Sequence, residues 1–195
     1  MKMSVATNIA EVMASVRKVQ SQIPFAQSKA LNDTAFQIRR QIVQHTYPDS
    51  FTVRNSRFIS TVLRVERASK TNLNARVFDR LGRDYLERQA KGGTKTPQGN
   101  HIAIPGVQNT ARTAGGAIPK AIRPRSLLNR KDIFKTDTLI YQRLPQQPPK
   151  ILYILEPSAN IPKRFPFYED ATKVANEKFS ANYKAALQHA MRTAR

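Results

Sequence analysis

The stretch KGGTKTPQGNHIAIPG, Lys91 to Gly106, holds the residue types of a phosphate cradle: glycines, a lysine, and a threonine after the lysine. Loops of the pattern G-x-x-x-x-G-K-[ST] wrap a phosphate in backbone amides and need the lysine and hydroxyl directly after the last glycine. Here Thr94 separates Gly93 from Lys95, and no glycine stands five residues before Gly93. The pattern upstream is helical where a strand is required. The spacing therefore reads as a helix stop opening onto a solvated basic loop, and no cofactor is expected.

Other chemistry-bearing residues fare no better. The histidines stand at 45, 101 and 189, without HExxH spacing, and the chain has no cysteine, so no metal site is expected. Asp84 with Glu87, and Glu169 with Asp170, are the closest carboxylate pairs. On helices such pairs serve intrahelical pairing and the positive N-terminal end before they serve acid–base catalysis. Ser56, Ser60 and Ser69 lie in no nucleophile elbow. No catalytic residue emerges, and the expectation is a protein that is not an enzyme.

Charge is the strongest signal. Lys and Arg number 33 against 13 Asp and Glu, a formal +20 at pH 7 over 195 residues. Such an excess implies a polyanionic partner or an acidic protein surface. No acidic residue lies between Glu87 and Asp132, a stretch holding Arg88, Lys91, Lys95, Arg112, Lys120, Arg123, Arg125, Arg130 and Lys131. Several cations on one surface release counterions from phosphates and give salt-sensitive, sequence-independent affinity. Between Tyr85 and Phe134 there is no Phe or Tyr, so base stacking is not expected in this segment. A wall beside duplex DNA, or docking on acidic protein, fits better.

These residues must be positioned by a chain long enough for one substantial core, so a single domain over 1–195 is expected. Asn8 with Glu11 suggests a capping box, and Ile9, Val12, Met13, Val16 and Val19 recur at helical spacing. Pro24 should punctuate that helix, with a second from about Phe25 to His45 carrying Leu31, Ala35, Ile38 and Ile42 on one face. From Phe58 to Phe78 the spacing predicts a β-hairpin, with SKTN at Ser69 to Asn72 between its strands. Leu81 to Lys91 is a short helix stopped by Gly92-Gly93.

The segment at about 91–131 is poor in periodicity, and the chain's seven glycines all fall from Gly82 to Gly116. It reads as a basic arm or loop that orders on a partner. Thr138–Leu144 and Lys150–Glu156 are expected strands, the second apolar enough for the middle of a sheet, with Pro148-Pro149 and Pro157 bracketing it. A last helix opens at Glu169 and Asp170, closes at Arg192 and Arg195, and carries Val174, Ala175, Phe179, Tyr183, Leu187 and Met191 as its apolar stripe. The fold class is α+β: N-terminal helices, a central mainly antiparallel sheet with a long basic loop insertion, and a C-terminal helix packed on the sheet. The N-terminus lacks a signal peptide's apolar run, and no stretch approaches the roughly 18 apolar residues of a membrane helix, so a soluble chain with no membrane partner is expected.

The order of ALNDTAFQIRRQI, VLRVERASKTNLNARVF, ERQAKGGTK, HIAIPG, RPRSLL and ILYILEPSANIPKRFPFYEDA resembles the minor tail protein Z family of tailed bacteriophages, from about Ala26 to the carboxyl end. Gly92 and Gly93, Ile104 and Pro105, and the RFPF of Arg164 to Phe167 mark the family pattern. The resemblance implies a virion structural protein of the tail or neck, made in the bacterial host cytoplasm. It would be a tail-completion, terminator or connector subunit that assembles as a ring, hexameric by expectation, at the head-proximal end of the tail. Its partners would be tail-tube, terminator or head–tail connector proteins and, through the basic arm, phage DNA. The other reading of the residues is a free-standing, sequence-independent nucleic-acid-binding protein.

Overall fold

A computed structural model of the protein describes residues 9–82, 84–107 and 109–193. The elements run α1 (Ile9–Gln41), a π-helical turn (Ile42–Thr46), α2 (Tyr47–Ser50), α3 (Phe58–Val62), β1 (Leu63–Glu66), β2 (Arg76–Asp79) and α4 (Asp84–Lys91). They continue with β3 (Gly93–Lys95), β4 (Ile102–Pro105), a 3-10 turn (Lys120–Ile122), α5 (Pro124–Leu127) and β5 (Ile133–Lys135). The chain closes with β6 (Leu139–Leu144), β7 (Gln147–Glu156), β8 (Ala159–Ile161) and α6 (Phe167–Thr193). Every strand pairing is antiparallel, so the class is α+β with helices at both ends of the chain. Contacts gather into two compact units where composition suggested one core. The first is Met1–Thr52, Ser56–Arg83 and Phe165–Arg195; the second is Val53–Asn55 with Asp84–Arg164.

In the first unit, α1 and α6 lie antiparallel. Thr46 meets Asp170 at one end, Thr34 and Gln37 meet Asn182 in the middle, and Ala26 and Ala30 pack with Ala186 and Ala190 towards the other. All four alanines are at most 1% exposed, and only side chains this small let two helix backbones approach so closely. Phe25, Tyr183 and Leu187 seal the flanks of that contact. The same helices face β2 across a cleft lined by Leu31, Ile38, Val77, Ala171 and Phe179, of about 310 Å³.

Pro24 does not end the first helix; α1 runs through it. The missing N–H deprives only the carbonyl of Gln20, an exposed residue whose carbonyl can turn to water, so the helix loses one bond and continues. The cap expected at Asn8, and the charge at Arg195, lie outside the described residues.

The hairpin pairs Leu63 with Asp79 through Glu66 with Arg76. Its expected first part, Phe58–Val62, is instead a turn of helix, because Ile59 and Val62, both buried, share a face only at helical spacing. Arg39 holds the junction, donating from Nε to the Leu63 carbonyl at 2.9 Å and from Nη2 to the Ser60 carbonyl at 2.6 Å. Asn32 clasps the hairpin loop through both backbone groups of Ala68. At SKTN the Ser69 amide donates to the Asn72 carbonyl at 2.8 Å, closing the expected turn.

An aromatic cluster closes the other end of this unit. Phe165, 2% exposed, stands with Tyr47, Phe51 and Phe167 at centroid distances of 6.2, 5.6 and 5.7 Å. Burial raises the Tyr47 phenol above its ordinary pKa.

The second unit is built on a four-stranded sheet in the order β4-β7-β6-β5 and a two-stranded sheet of β3 with β8. As expected, Ile151–Leu155 lies in an inner strand. Pro148 and Pro149 do not bracket that strand but lie within it. The partner on that side, β4, pairs only with Tyr153–Glu156, so the prolines occupy a stretch with a neighbour on one side alone, where a missing N–H breaks no ladder. Among the described residues no helix is long and apolar enough to cross a membrane.

Candidate nucleic-acid and assembly surface

The segment expected as an arm is largely built into the second unit. Gly92 stops α4 with φ +76°, its amide donating to the Arg88 carbonyl at 2.7 Å. Gly93, Thr94 and Lys95 then pair with Ile161, Asn160 and Ala159. Gly92 and Gly93 both have positive φ, +76° and +127°, so the Gly-Gly pair ends the helix and turns the chain into β3. Ile104 and Pro105 belong to β4, opposite Ile154 and Tyr153. The 3-10 turn and α5 fix Lys120, Arg123 and Arg125. What single-sequence periodicity missed is that strands of three or four residues show too few alternations to be recognised.

The sheet has two unlike faces. One covers the core of Leu127, Ile133, Ile140, Leu152, Tyr153 and Leu155, where the Tyr153 hydroxyl donates to the Ile122 carbonyl at 2.7 Å. The other is apolar yet open: Ile104, Ile151 and Ile154 are 37, 41 and 38% exposed. Cross-strand pairing aligns Ile104, Ile154 and Leu139 in one row and Ile151, Tyr141 and Phe134 in the next.

A bulge makes this face possible. Tyr141 opposes Ile151 while Ile140 opposes Tyr153, which leaves Leu152 as the extra residue. The Leu152 carbonyl accepts from the Gly106 amide at 2.9 Å and from Asn109 Nδ2 at 3.2 Å. Gly106 must lack a side chain, since a Cβ there would meet the Ile151 carbonyl oxygen at 2.8 Å.

Cations divide by whether a carboxylate holds them. Lys91 pairs with Glu87, and Arg88 with Asp84, along α4. Arg130 makes a two-pronged bond to Asp132, Nε to Oδ1 at 3.0 Å and Nη2 to Oδ2 at 2.7 Å. Arg130, then the amide of Gln142, hold the Asp132 carboxyl below its ordinary pKa, and Asp132 raises that of Arg130. Lys95, Lys120, Arg125 and Lys131 have no carboxylate partner among the described residues. Arg112 and Arg123 bond to carbonyls, those of Asn109 and Ala111 and that of Ile118, and to no carboxylate among the described residues.

Folding adds groups that reading along the chain did not find. Phe134 stacks on Tyr141 at 5.7 Å, and Arg143 lies over the Phe134 ring at 4.2 Å, an aromatic–cation platform on the open face. Lys150 joins Arg130, Gln142, Asn109 and Thr110 around a pocket of about 170 Å³. Strand pairing alone brings these together, and their sequence spacing gives no signal. No cluster of three or more His, Asp or Glu able to hold a metal occurs among the described residues. Comparison with protein-family models, curated proteins and solved structures returned no match.

Proposed function

We propose that this protein is a structural subunit of a tailed-bacteriophage virion, a tail-completion, terminator or connector protein that assembles as a ring around the DNA channel at the tail's head-proximal end. The observation that carries the reading is the open sheet face. An apolar surface formed by Ile104, Ile151 and Ile154, beside a segment whose cations outnumber its carboxylates, suits a subunit that docks on protein while meeting a polyanion. The resemblance of the chain's motifs to the minor tail protein Z family supports it. A +20 protomer repels its copies, so assembly calls for acidic neighbours or DNA to offset that charge. Electron microscopy of particles carrying a labelled copy tests this: label belongs near the upper end of the tail, and label scattered elsewhere removes the reading.

The six cations of the segment at 91–131 that have no carboxylate partner among the described residues favour a second reading, a free-standing nucleic-acid-binding protein. It requires tight binding of DNA or RNA by the purified monomer, weakening steeply with salt.

A further inference from the structure

The N-terminal part of α1 outruns its partner. The antiparallel pairings of Thr46 with Asp170 and of Ala26 and Ala30 with Ala186 and Ala190 place the end of α6, Thr193, about level with Ile23. Ile9 to Gln22 therefore projects about 20 Å further, at 1.5 Å per residue. This projecting stretch is apolar along one line: Ile9, Met13 and Val16 are 61, 51 and 50% exposed.

Ile9 and Val16 belong to a heptad seam, with Met13 beside it. Ile9, Val12, Val16, Val19, Ile23, Ala26 and Ala30 alternate steps of three and four residues, so Ile9, Val16, Ile23 and Ala30 are a positions and Val12, Val19 and Ala26 are d positions. Its alanine end is covered by α6 within the chain. Towards its other end Ile9 and Val16 stay exposed, while Val19 and Ile23 are partly buried.

We propose that this uncovered seam is where copies of the protein meet, as a short parallel coiled coil of second and further copies of the same helix. The flanking positions decide the occupant. The e residues are Met13, Gln20 and Gln27, and the g residues before Lys29 are Ser15 and Gln22. None is charged, so the flanks neither select an oppositely charged helix nor repel an identical one, even in a chain of +20. A repeated seam packs in register on its own copy. β-branched residues at both a and d, with no leucine at d, favour three or more strands over two. The projecting turns continue a helix already anchored by Ala26 and Ala30, which offsets the nucleation cost that makes isolated helices of this length marginal. The inference goes beyond the ring reading, since a coiled coil packed along its own axis leaves no channel there, and it rests on that reading only for the virion as the setting.

Because the chain has no cysteine, single cysteines can map the seam. Full-length Val16→Cys, at an a position, should cross-link into disulfide-linked dimers under mild oxidation, several-fold more than Arg17→Cys at the neighbouring b position. In sedimentation velocity at high salt, where the repulsion between +20 chains is screened, the unmodified chain should run as an oligomer and Val16→Glu as a monomer. At dilutions where the parent is monomeric, thermal unfolding of Val16→Glu should match it, since half of Val16 faces solvent in the single chain. A monomeric parent chain, or equal cross-linking at 16 and 17, overturns the proposal. Cross-linking confined to position 16 in a protein whose label is absent from the tail would uphold the seam and remove the virion reading.

Discussion

Thr46 Oγ1 donates to Asp170 Oδ2 at 2.6 Å and so joins the π-helical turn that follows α1 to the first turn of α6. Thr46 is 3% exposed, so its hydroxyl has no solvent to fall back on. Asp170 also serves the positive end of its helix, the role its position suggests. The extra residue of the π-turn changes the phase of α1 by about a quarter turn where this bond is made.

Thr46→Val keeps the shape and removes the donor. It should cost about 1–3 kcal/mol, the range for losing a hydrogen bond to a charged group. Urea unfolding of Thr46→Val, Asp170→Ala and the double variant should give a coupling of about 1 kcal/mol. Additive losses would mean that the two residues stabilise the protein independently.

Phe165 gives a larger expectation. It is almost fully buried among Tyr47, Phe51 and Phe167, and Phe165→Ala should cost about 3–5 kcal/mol. Phe165→Leu should recover much of that loss, because a leucine fills most of the space. A Phe165→Ala midpoint equal to the parent's in the same urea titration would mean that the cluster can close over the gap.

What could be read from the sequence followed the length of each periodic run. The last helix was legible because it repeats its period several times, and the inner strand at Ile151–Leu155 because it is an unbroken apolar run. β3 and β4 were not, since each has at most four residues and its partners, in β8 and β7, lie some fifty residues or more away. Proline misled twice, at Pro24 and at Pro148-Pro149, where the surroundings in the fold decide whether a missing N–H matters. Of the site, the cations were visible as a run, but which of them a carboxylate neutralises was not. Arg130 is two residues from Asp132, while Gln142 reaches the same carboxylate only because β5 pairs with β6.

Asp132 offers a test of that local network by pH. Its pKa in the folded chain is lowered, first by the bond from Arg130 and then by that from Gln142, so the favourable contribution is intact above the ordinary carboxylate value. It is lost as pH falls through the lowered value. In an NMR titration the Asp132 carboxyl should have its midpoint below about 3.9, the value for an unperturbed aspartate. Arg130→Ala should move that midpoint upward, and Gln142→Leu should move it upward by less. A midpoint indifferent to Arg130 would break the assignment.

The division between paired and unpaired cations predicts how DNA binding depends on salt. A free lysine or arginine on a phosphate contributes about −0.9 to the slope of log K against log salt, so removing one reduces the slope by about that amount. Lys131→Ala and Arg125→Ala, which remove cations without a carboxylate partner, should each weaken binding to a duplex of arbitrary sequence and flatten the slope by nearly one. Lys91→Ala should flatten the slope much less, because Glu87 already pairs with that ammonium in the folded chain. Fluorescence anisotropy over a salt series reads both quantities. Equal effects from Lys91 and Lys131 would mean that the folded pairing does not govern the charge DNA encounters, and no effect from Arg125 or Lys131 would direct this surface to acidic protein instead.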